Sequence, residues 1–273
     1  MLDKLHSYVF DTTGCVIIKK FIPMEEVNRA KSSILKNWPT ANGVSTIPWK
    51  FPIMHLDRVF WEFLTKPLIL DFCEEFCGDY FRLDHAFGLS SNKAISQLHG
   101  GPQSSQNSCF YLPRGGNHGL VGQLNFGFCL EPQNGSTGGF VYIPGSHKSS
   151  DSRAGKEILE DVFKGNFAHH SLVTPVLEPG DLMIFTEALI HGDTGWKDNS
   201  SYRMQAYYKM TPGFMCWRDP SQNIALKQFA LTDLELRLIE APWTGRYSET
   251  ATSMGTSNQR RPKTRNAETY ANS

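Results

Sequence analysis

Short apolar runs separated by turn-forming residues fill the chain from about residue 82 to residue 210, and this sequence pattern limits the possible folds more than any other feature. Runs such as VGQLNFGFCL, GGFVYIPGSH and DLMIFTEALIHG are each long enough for one strand, and Gly, Pro and Asn lie between them. Several short strands at this spacing predict an antiparallel sandwich or barrel. One charged interruption, AGKEILEDVFKGNF, predicts a surface helix inserted between strands.

The segment before residue 82 has a helical pattern instead. A short strand is predicted over Cys15–Ile18, and after a turn at Pro23 a helix follows, whose apolar positions are Val27, Ala30, Ile34 and Leu35. Two further helical segments are predicted in HLDRVFWEFLTKPLILDFCEEFCGDYF, with a break at Pro67. We therefore expect a mainly β domain with flanking helices that form an N-terminal cap.

This domain is expected to span residues 1–247, and the polar tail 248–273 is expected to be disordered.

The chain carries 27 Lys plus Arg and 27 Asp plus Glu, so its overall charge favours neither nucleic acid nor an anionic membrane. No apolar run approaches the length of a membrane span, and MLDKLHSYVF lacks the features of a signal peptide. Six scattered cysteines without a metal-binding pattern predict reduced, mostly buried thiols, which together with these absences indicates a cytoplasmic protein.

Two of the nine histidines differ from the rest. His99 and His191 each close an apolar strand-like run, and each is followed at once by glycine, which allows a ligand or another backbone to approach closely. Such strand-end histidines suit opposing strands at the mouth of a barrel, where neutral imidazoles bind Fe(II). Arg203 lies on the next strand-like run, and its guanidinium suits a two-pronged hydrogen bond to a carboxylate.

The runs GGFVYIPGSHK, EPGDLMIFTEALIHG and YRMQAYYKMTPG, in this order, resemble the phytanoyl-CoA dioxygenase-like family of Fe(II)/2-oxoglutarate-dependent oxygenases. The resemblance covers roughly residues 10 to 220. It implies a double-stranded β-helix, a jelly-roll or cupin-like barrel, that binds iron, 2-oxoglutarate, molecular oxygen and a small-molecule substrate. By position, His99 and His191 would bind the metal, Arg203 would hold the far carboxylate of 2-oxoglutarate, and Ser96 would assist it.

The chain departs from the family pattern at Gly101. The family motif is His-x-Asp, whereas this sequence has His99, Gly100 and Gly101, so the usual carboxylate ligand is missing. This pattern is similar to the His-x-Gly motif of the non-haem iron halogenases, in which chloride takes the position of the carboxylate. We therefore expect a halogenase, with chloride as a third ligand, and expect an aspartate introduced at position 101 to have little room.

Two other classes of function stay open: a hydroxylase without the usual carboxylate, and a non-catalytic barrel that binds a small ligand. Asp193 is considered as a replacement carboxylate, but a turn-capping role is favoured for it. Glu187 is considered too distant along its strand, four residues before His191, and Asp84 is expected to hydrogen-bond His85. Three further expectations concern polar and aromatic side chains. Gln123 and Asn125 point into the barrel and contact cosubstrate or substrate, and His147 makes a structural hydrogen bond. Trp196 and Trp217 wall the pocket or pack in the core or at its rim.

Overall fold

The computed structural model describes residues 3–38, 47–91, 96–101, 110–114, 117–149, 160–161, 169–196 and 202–243. Its helices are α1 (Lys4–Thr13), α2 (Met24–Asn37), α3 (Val59–Leu64), α4 (Pro67–Cys77), α5 (Ser221–Ile224) and α6 (Asp233–Leu238). Its strands are β1 (Cys15–Ile18), β2 (Lys50–Phe51), β3 (Phe81–Ser91), β4 (Ser96–His99), β5 (Tyr111–Arg114), β6 (Asn117–Val121), β7 (Leu124–Cys129), β8 (Gly138–Tyr142), β9 (Leu182–Thr186), β10 (His191–Trp196) and β11 (Arg203–Pro212).

The strands form two main sheets and one small ribbon. The larger sheet has the order β1-β9-β7-β11-β3-β2, the smaller has the order β4-β10-β8, and β5 pairs with β6. Each strand pairing is antiparallel. In the two main sheets most neighbouring strands are distant in sequence, as in a jelly roll, so residues from the middle and the end of the chain meet.

The larger sheet is buried on both faces because a different layer covers each of them. On its outer face, the even-numbered residues of β11 from Met204 to Met210 join an apolar core with α1 to α4. On its inner face, Phe185 of β9 packs on Phe140 of β8, with 4.9 Å between the ring centroids, and so joins the two sheets. Alternation with a period of two residues therefore assigns each strand side chain to one layer.

The helical cap is largely the predicted one. Pro67 is the first residue of α4, where its missing N–H costs no hydrogen bond, so the predicted break is correct. The helix α1 was not predicted. It begins at an Asp3 cap and ends at Gly14 in the left-handed conformation with φ 80°, and its Phe10 packs between Phe72 and Phe76 of α4.

The cysteines, the membrane-span criterion and the inserted helix can also be compared with the structure. Four of the described cysteines are buried and Cys216 is exposed, all as free thiols. No helix in the described part of the chain is long and apolar enough to cross a membrane. The inserted helix predicted over 154–167 lies outside the described residues except at positions 160 and 161, which are helical, and the tail 248–273 lies wholly outside them.

Candidate metal and cosubstrate site

His99 and His191 lie opposite each other on paired strands of the smaller sheet. They are direct partners in the β4–β10 register, and their imidazole centroids are 4.3 Å apart. The His191 side chain is buried, whereas 41% of the His99 side chain is exposed. The two histidines selected from the sequence are thus brought together, one of them open to an approaching ligand.

The protonation of His191 suits metal binding. Its Nδ1 lies 2.7 Å from the backbone oxygen of Leu189, and since a carbonyl only accepts, Nδ1 carries the proton and donates it. Burial, reinforced by the neighbouring His99, lowers the pKa of His191 to about 3. The ring is therefore neutral at pH 7, with the lone pair of Nε2 free to bind a cation.

Glu187 is the carboxylate that sequence reasoning missed. Its side chain is 4% exposed, and its Oε1 lies 3.7 Å from Nε2 of His99. Four residues of straight strand would have separated Glu187 from His191 by about 13 Å. Strand β9 ends at Thr186, however, and a turn brings Glu187 back towards His191. The expectation that Glu187 is too distant is therefore wrong, because the segment between them is not one strand.

Hydrogen bonds fix this turn, and Gly100 allows the neighbouring chain to reach it. The backbone N–H of Glu187 donates to the oxygen of Gln123 at 2.9 Å, and that of Leu189 donates to the oxygen of Thr186 at 3.0 Å. A Cβ atom on Gly100 would lie 2.8 Å from the backbone oxygen of Glu187 and closer still to that of Leu189. Only glycine, with φ 91°, lets the end of β4 pass so close to the turn.

The Glu187 carboxylate is ionised in its buried position. Burial alone would raise its pKa, but Lys209 and then His191 outweigh that effect and leave the pKa well below its usual range. Nζ of Lys209 donates to Oε2 at 2.8 Å, and Nδ2 of Asn125 donates to the same oxygen at 3.0 Å. The predicted inward direction of Asn125 is therefore seen, in contact with Glu187.

The three side chains supply the donor types for a divalent metal and lie close enough to share one after a small movement. One ligand atom from each of His99, Glu187 and His191 lies within 4.8 Å of the others. Among the described residues, this is the one group of three or more His, Cys, Asp or Glu side chains that close together. Two imidazoles and one carboxylate are the donor set of non-haem Fe(II) oxygenases. The residues present therefore fit an iron ion.

Gly101 follows directly and carries no donor. Its φ of 88° lies in the region that favours glycine, and among the described residues a Cβ atom there would meet Ile190, at 3.4 and 3.8 Å. The backbone conformation is therefore one obstacle to an aspartate at this position, and the small room for the rest of its side chain stays a prediction.

Arg203 is buried beneath the same region and already binds a carboxylate. Its Nη1 contacts Asp193, and its Nη2 donates to Gln205 Oε1 at 2.7 Å and to Tyr207 Oη at 3.0 Å. Asp193 lies within β10, so the expectation that it caps a turn is wrong. It is also no ligand in the described metal cluster, which contains Glu187 instead. The predicted cosubstrate clamp therefore has an internal competitor.

The interior between the sheets contains polar atoms that the fold leaves unpaired. Gln123 Nε2, Asn125 Oδ1, Arg203 Nε and Gln205 Nε2 are buried and have no hydrogen-bond partner among the described residues. Each such atom costs about 1 to 3 kcal/mol when nothing pairs with it. The pattern fits a site that receives a small polar molecule. Ser96 lies opposite Asp193 in the strand register, with its side chain outside the described part.

The remaining candidates have structural contacts. Nε2 of the buried His147 lies 3.0 Å from the backbone oxygen of Asp11, as expected for a structural histidine. Asp84 and His85 form the expected pair at 2.6 Å, within β3. Trp196 is buried at the end of β10, whereas Trp217 is largely exposed.

Solved structures with this fold bind iron and 2-oxoglutarate. HygX from Streptomyces hygroscopicus, crystallised with nickel and 2-oxoglutarate, has 22% sequence identity and a TM-score of 0.66, over 80% of this chain and 90% of that one. EctD from S. alaskensis, with 2-oxoglutarate and 5-hydroxyectoine, has 15% identity and a TM-score of 0.57, over 77% and 76%. The non-haem α-ketoglutarate-dependent epimerase SnoN from nogalamycin biosynthesis has 16% identity and a TM-score of 0.54, over 77% and 83%. These likenesses confirm the predicted jelly-roll architecture.

Sequence comparison is more specific. A search of curated proteins found no match to the chain. The family model described as phytanoyl-CoA dioxygenase (PhyH), in contrast, matches residues 10–197. That match includes both histidines, the glutamate between them in sequence and most of the two-sheet core. The resemblance inferred from the strand-end motifs is thereby confirmed, and the chain belongs to the phytanoyl-CoA dioxygenase family of Fe(II)/2-oxoglutarate-dependent oxygenases.

Proposed function

We propose that the protein is an active Fe(II)/2-oxoglutarate-dependent oxygenase that hydroxylates a small molecule. The observation that carries this proposal is the convergence of His99, His191 and the ionised Glu187 on one point beside a polar interior. Lys209 compensates the charge of Glu187, but the buried Arg203 Nε and Gln205 Nε2 have no hydrogen-bond partner among the described residues. Such unpaired atoms are costly unless a ligand meets them, which supports a site that binds a cosubstrate.

The residues of the chain have separate tasks in this reaction. His99 and His191 hold the metal, and the hydrogen bond to Leu189 keeps the His191 lone pair directed outward from the backbone. Arg203 receives the distal carboxylate of 2-oxoglutarate when Asp193 releases it. Iron supplies oxidative C–H chemistry when bound, with molecular oxygen and 2-oxoglutarate as cosubstrates. Phe140 and Phe185, which pack beside His191, exclude water from the inner side of the site.

Halogenation is the second candidate, and Gly101 is the observation that favours it. With no donor at position 101, a halide has the position that aspartate takes in the family. The comparisons support the oxygenase class without distinguishing these two outcomes.

The proposed function is tested by 2-oxoglutarate turnover. Purified protein is incubated with Fe(II), oxygen and 2-oxoglutarate against a library of small polar molecules, and succinate formation and product mass are measured, with and without chloride or bromide. Hydroxylation is supported if succinate forms only with substrate and the product is heavier than the substrate by one oxygen atom, about 16 Da. A halogenated product would favour the second candidate.

Matched histidine variants make this test specific. His99→Ala and His191→Ala should each abolish succinate formation, whereas His55→Ala, which changes a histidine outside the cluster, should not. If the two site variants form as much succinate as the unaltered protein, the proposal is wrong.

A further inference from the structure

We propose that Glu187 is the third protein ligand of the metal and replaces the aspartate that the family has at position 101. The inference rests on the proposed function only in assuming a metal between His99 and His191. The carboxylate would come from the β9–β10 turn rather than from the end of β4.

The two oxygens of Glu187 have different surroundings. Oε2 accepts hydrogen bonds from Lys209 and Asn125, at 2.8 and 3.0 Å. Oε1 faces the histidines instead and lies 3.7 Å from Nε2 of His99. Metal ligands commonly have such a division, in which one atom coordinates the ion and its partner accepts hydrogen bonds that orient the group. Lys209 and Asn125 therefore hold Glu187 in place through Oε2, with Oε1 directed to the histidines.

The spacing requires only a small adjustment. With metal–ligand bonds of about 2.1 Å, adjacent ligand atoms lie about 3 Å apart. The separation of 3.7 Å between Glu187 and His99 is slightly larger than this, and His99 is the more exposed of the two histidines and so the freer to move. Because the three ligand atoms lie within 4.8 Å of one another, the side chains must close by about 1 to 2 Å to coordinate one ion.

The donor types also match. A glutamate side chain supplies the same carboxylate donor as the aspartate of the family motif, so together with the two histidines it gives the donor set of a two-histidine, one-carboxylate iron site. The contact of 2.8 Å from Nζ of Lys209 to Oε2 places a basic side chain beside this carboxylate and holds it in its buried position.

The consequence is a change in the preferred reaction. A halogenase needs a coordination position that no protein carboxylate fills, and Glu187 fills it. The chain would therefore lack the position that chloride takes in halogenases, although its His-x-Gly motif resembles theirs, and oxygen transfer is the expected outcome.

Cobalt(II) tests this assignment without turnover, because its visible absorption reports ligand number and type. We would titrate Co(II) anaerobically into the full-length chain and into Glu187→Gln, Glu187→Asp and Glu25→Gln. Glu187→Gln keeps an oxygen for Lys209, and Glu187→Asp keeps the charge but withdraws it by one methylene. Each Glu187 variant should weaken Co(II) binding by about a hundredfold and change the spectrum, because removing an outer-shell partner alone costs 10- to 100-fold. The exposed Glu25 lies on α2, so Glu25→Gln should bind as the unaltered chain does.

Chloride provides an independent measurement. With saturating 2-oxoglutarate, which takes part of the open positions of such a site, added chloride should shift the Co(II) spectrum of Glu187→Gln more strongly than that of the unaltered chain. An equal response to chloride in both, with Co(II) affinity unchanged in Glu187→Gln and Glu187→Asp, would overturn the assignment. Circular dichroism of each variant establishes that it is folded.

The failure of this inference can be separated from the failure of the proposed function. If His99→Ala and His191→Ala lose Co(II) binding while both Glu187 variants retain it, only the ligand assignment is wrong. If neither histidine variant affects Co(II) binding, the metal site itself is wrong, and so is the function built on it.

Discussion

Asp193 competes with the distal carboxylate of 2-oxoglutarate for Arg203, so replacing it with asparagine should strengthen cosubstrate binding. Asp193 contacts Nη1 of a guanidinium that is 2% exposed, and Gln205 and Tyr207 occupy Nη2. A second carboxylate must displace Asp193 or lie next to it. Asparagine has nearly the same shape but no charge, so Asp193→Asn (D193N) changes the electrostatics alone.

The magnitude follows from the repulsion between two carboxylates. Two like charges about 4 Å apart, at an effective dielectric constant near 20, repel by about 4 kcal/mol. The unaltered chain relieves part of this by moving Asp193 aside, so about half of it, roughly 2 kcal/mol, should appear in binding. That corresponds to a Kd for 2-oxoglutarate about thirtyfold lower in D193N.

The assay is anaerobic calorimetric titration of 2-oxoglutarate into the Mn(II)-loaded protein. Two controls restrict the interpretation. 2-Oxobutyrate lacks the distal carboxylate, so D193N should bind it no more tightly than the unaltered chain does. Asp233→Asn changes an exposed aspartate of α6 and should leave both affinities as they are. Equal 2-oxoglutarate affinity in D193N and the unaltered chain, or an equal gain for 2-oxobutyrate, would refute the reasoning.

Three further predictions concern the stability of the fold around the site. Lys209→Met leaves Glu187 buried without its ion pair and should lower the free energy of unfolding of the metal-free protein by about 2 to 4 kcal/mol. In thermal unfolding, Co(II) should restore much of this loss. A loss that Co(II) leaves unchanged would argue against Glu187 as a ligand. Gly100→Ala should lower the free energy of unfolding in urea by about 3 kcal/mol or more, because the new Cβ meets the backbone of the Glu187 turn. Gly101→Ala should cost only the left-handed backbone conformation, about 1 to 2 kcal/mol. Equal losses in the two variants would contradict the close approach at Gly100. Burial lowers the pKa of His147 from 6.5 to about 4, so the unfolded chain takes up a proton before the folded one as the pH falls. The free energy of unfolding should therefore fall by about 3 kcal/mol between pH 6.5 and pH 4. In urea unfolding His147→Gln should lose this pH dependence, and an unchanged dependence would show that His147 is not its cause.

The strands and the histidines could be predicted because a local rule governs each of them. Alternation along GQLNFGF places Asn125 inside and Phe126 outside, as the structure has them. His99 and His191 were identifiable because each ends a strand and precedes a glycine. Such features need no knowledge of how distant segments meet.

The carboxylates could not be assigned in this way. Glu187 was excluded by counting residues along a strand, and nothing in TEALIH marks the turn that brings it back, since none of these residues is a glycine, proline or asparagine. The role of Asp193 depends on its contact with Arg203, which lies on a strand of the other sheet. Contacts between sheets depend on strand order, and one sequence does not determine that order.

The alternation along β11 also connects the site to the register of the whole sheet. Arg203, Gln205, Tyr207 and Lys209 face the interior between the sheets, and the residues between them, Met204, Ala206 and Tyr208, belong to the apolar core under the helices. A slip of one residue would put an arginine and a lysine into that core, so the charges of the site also act against misfolded pairings. Substitutions at the odd-numbered positions of this strand therefore affect both the site and the register, so a new cosubstrate or substrate preference is compatible with the fold only if these positions stay polar.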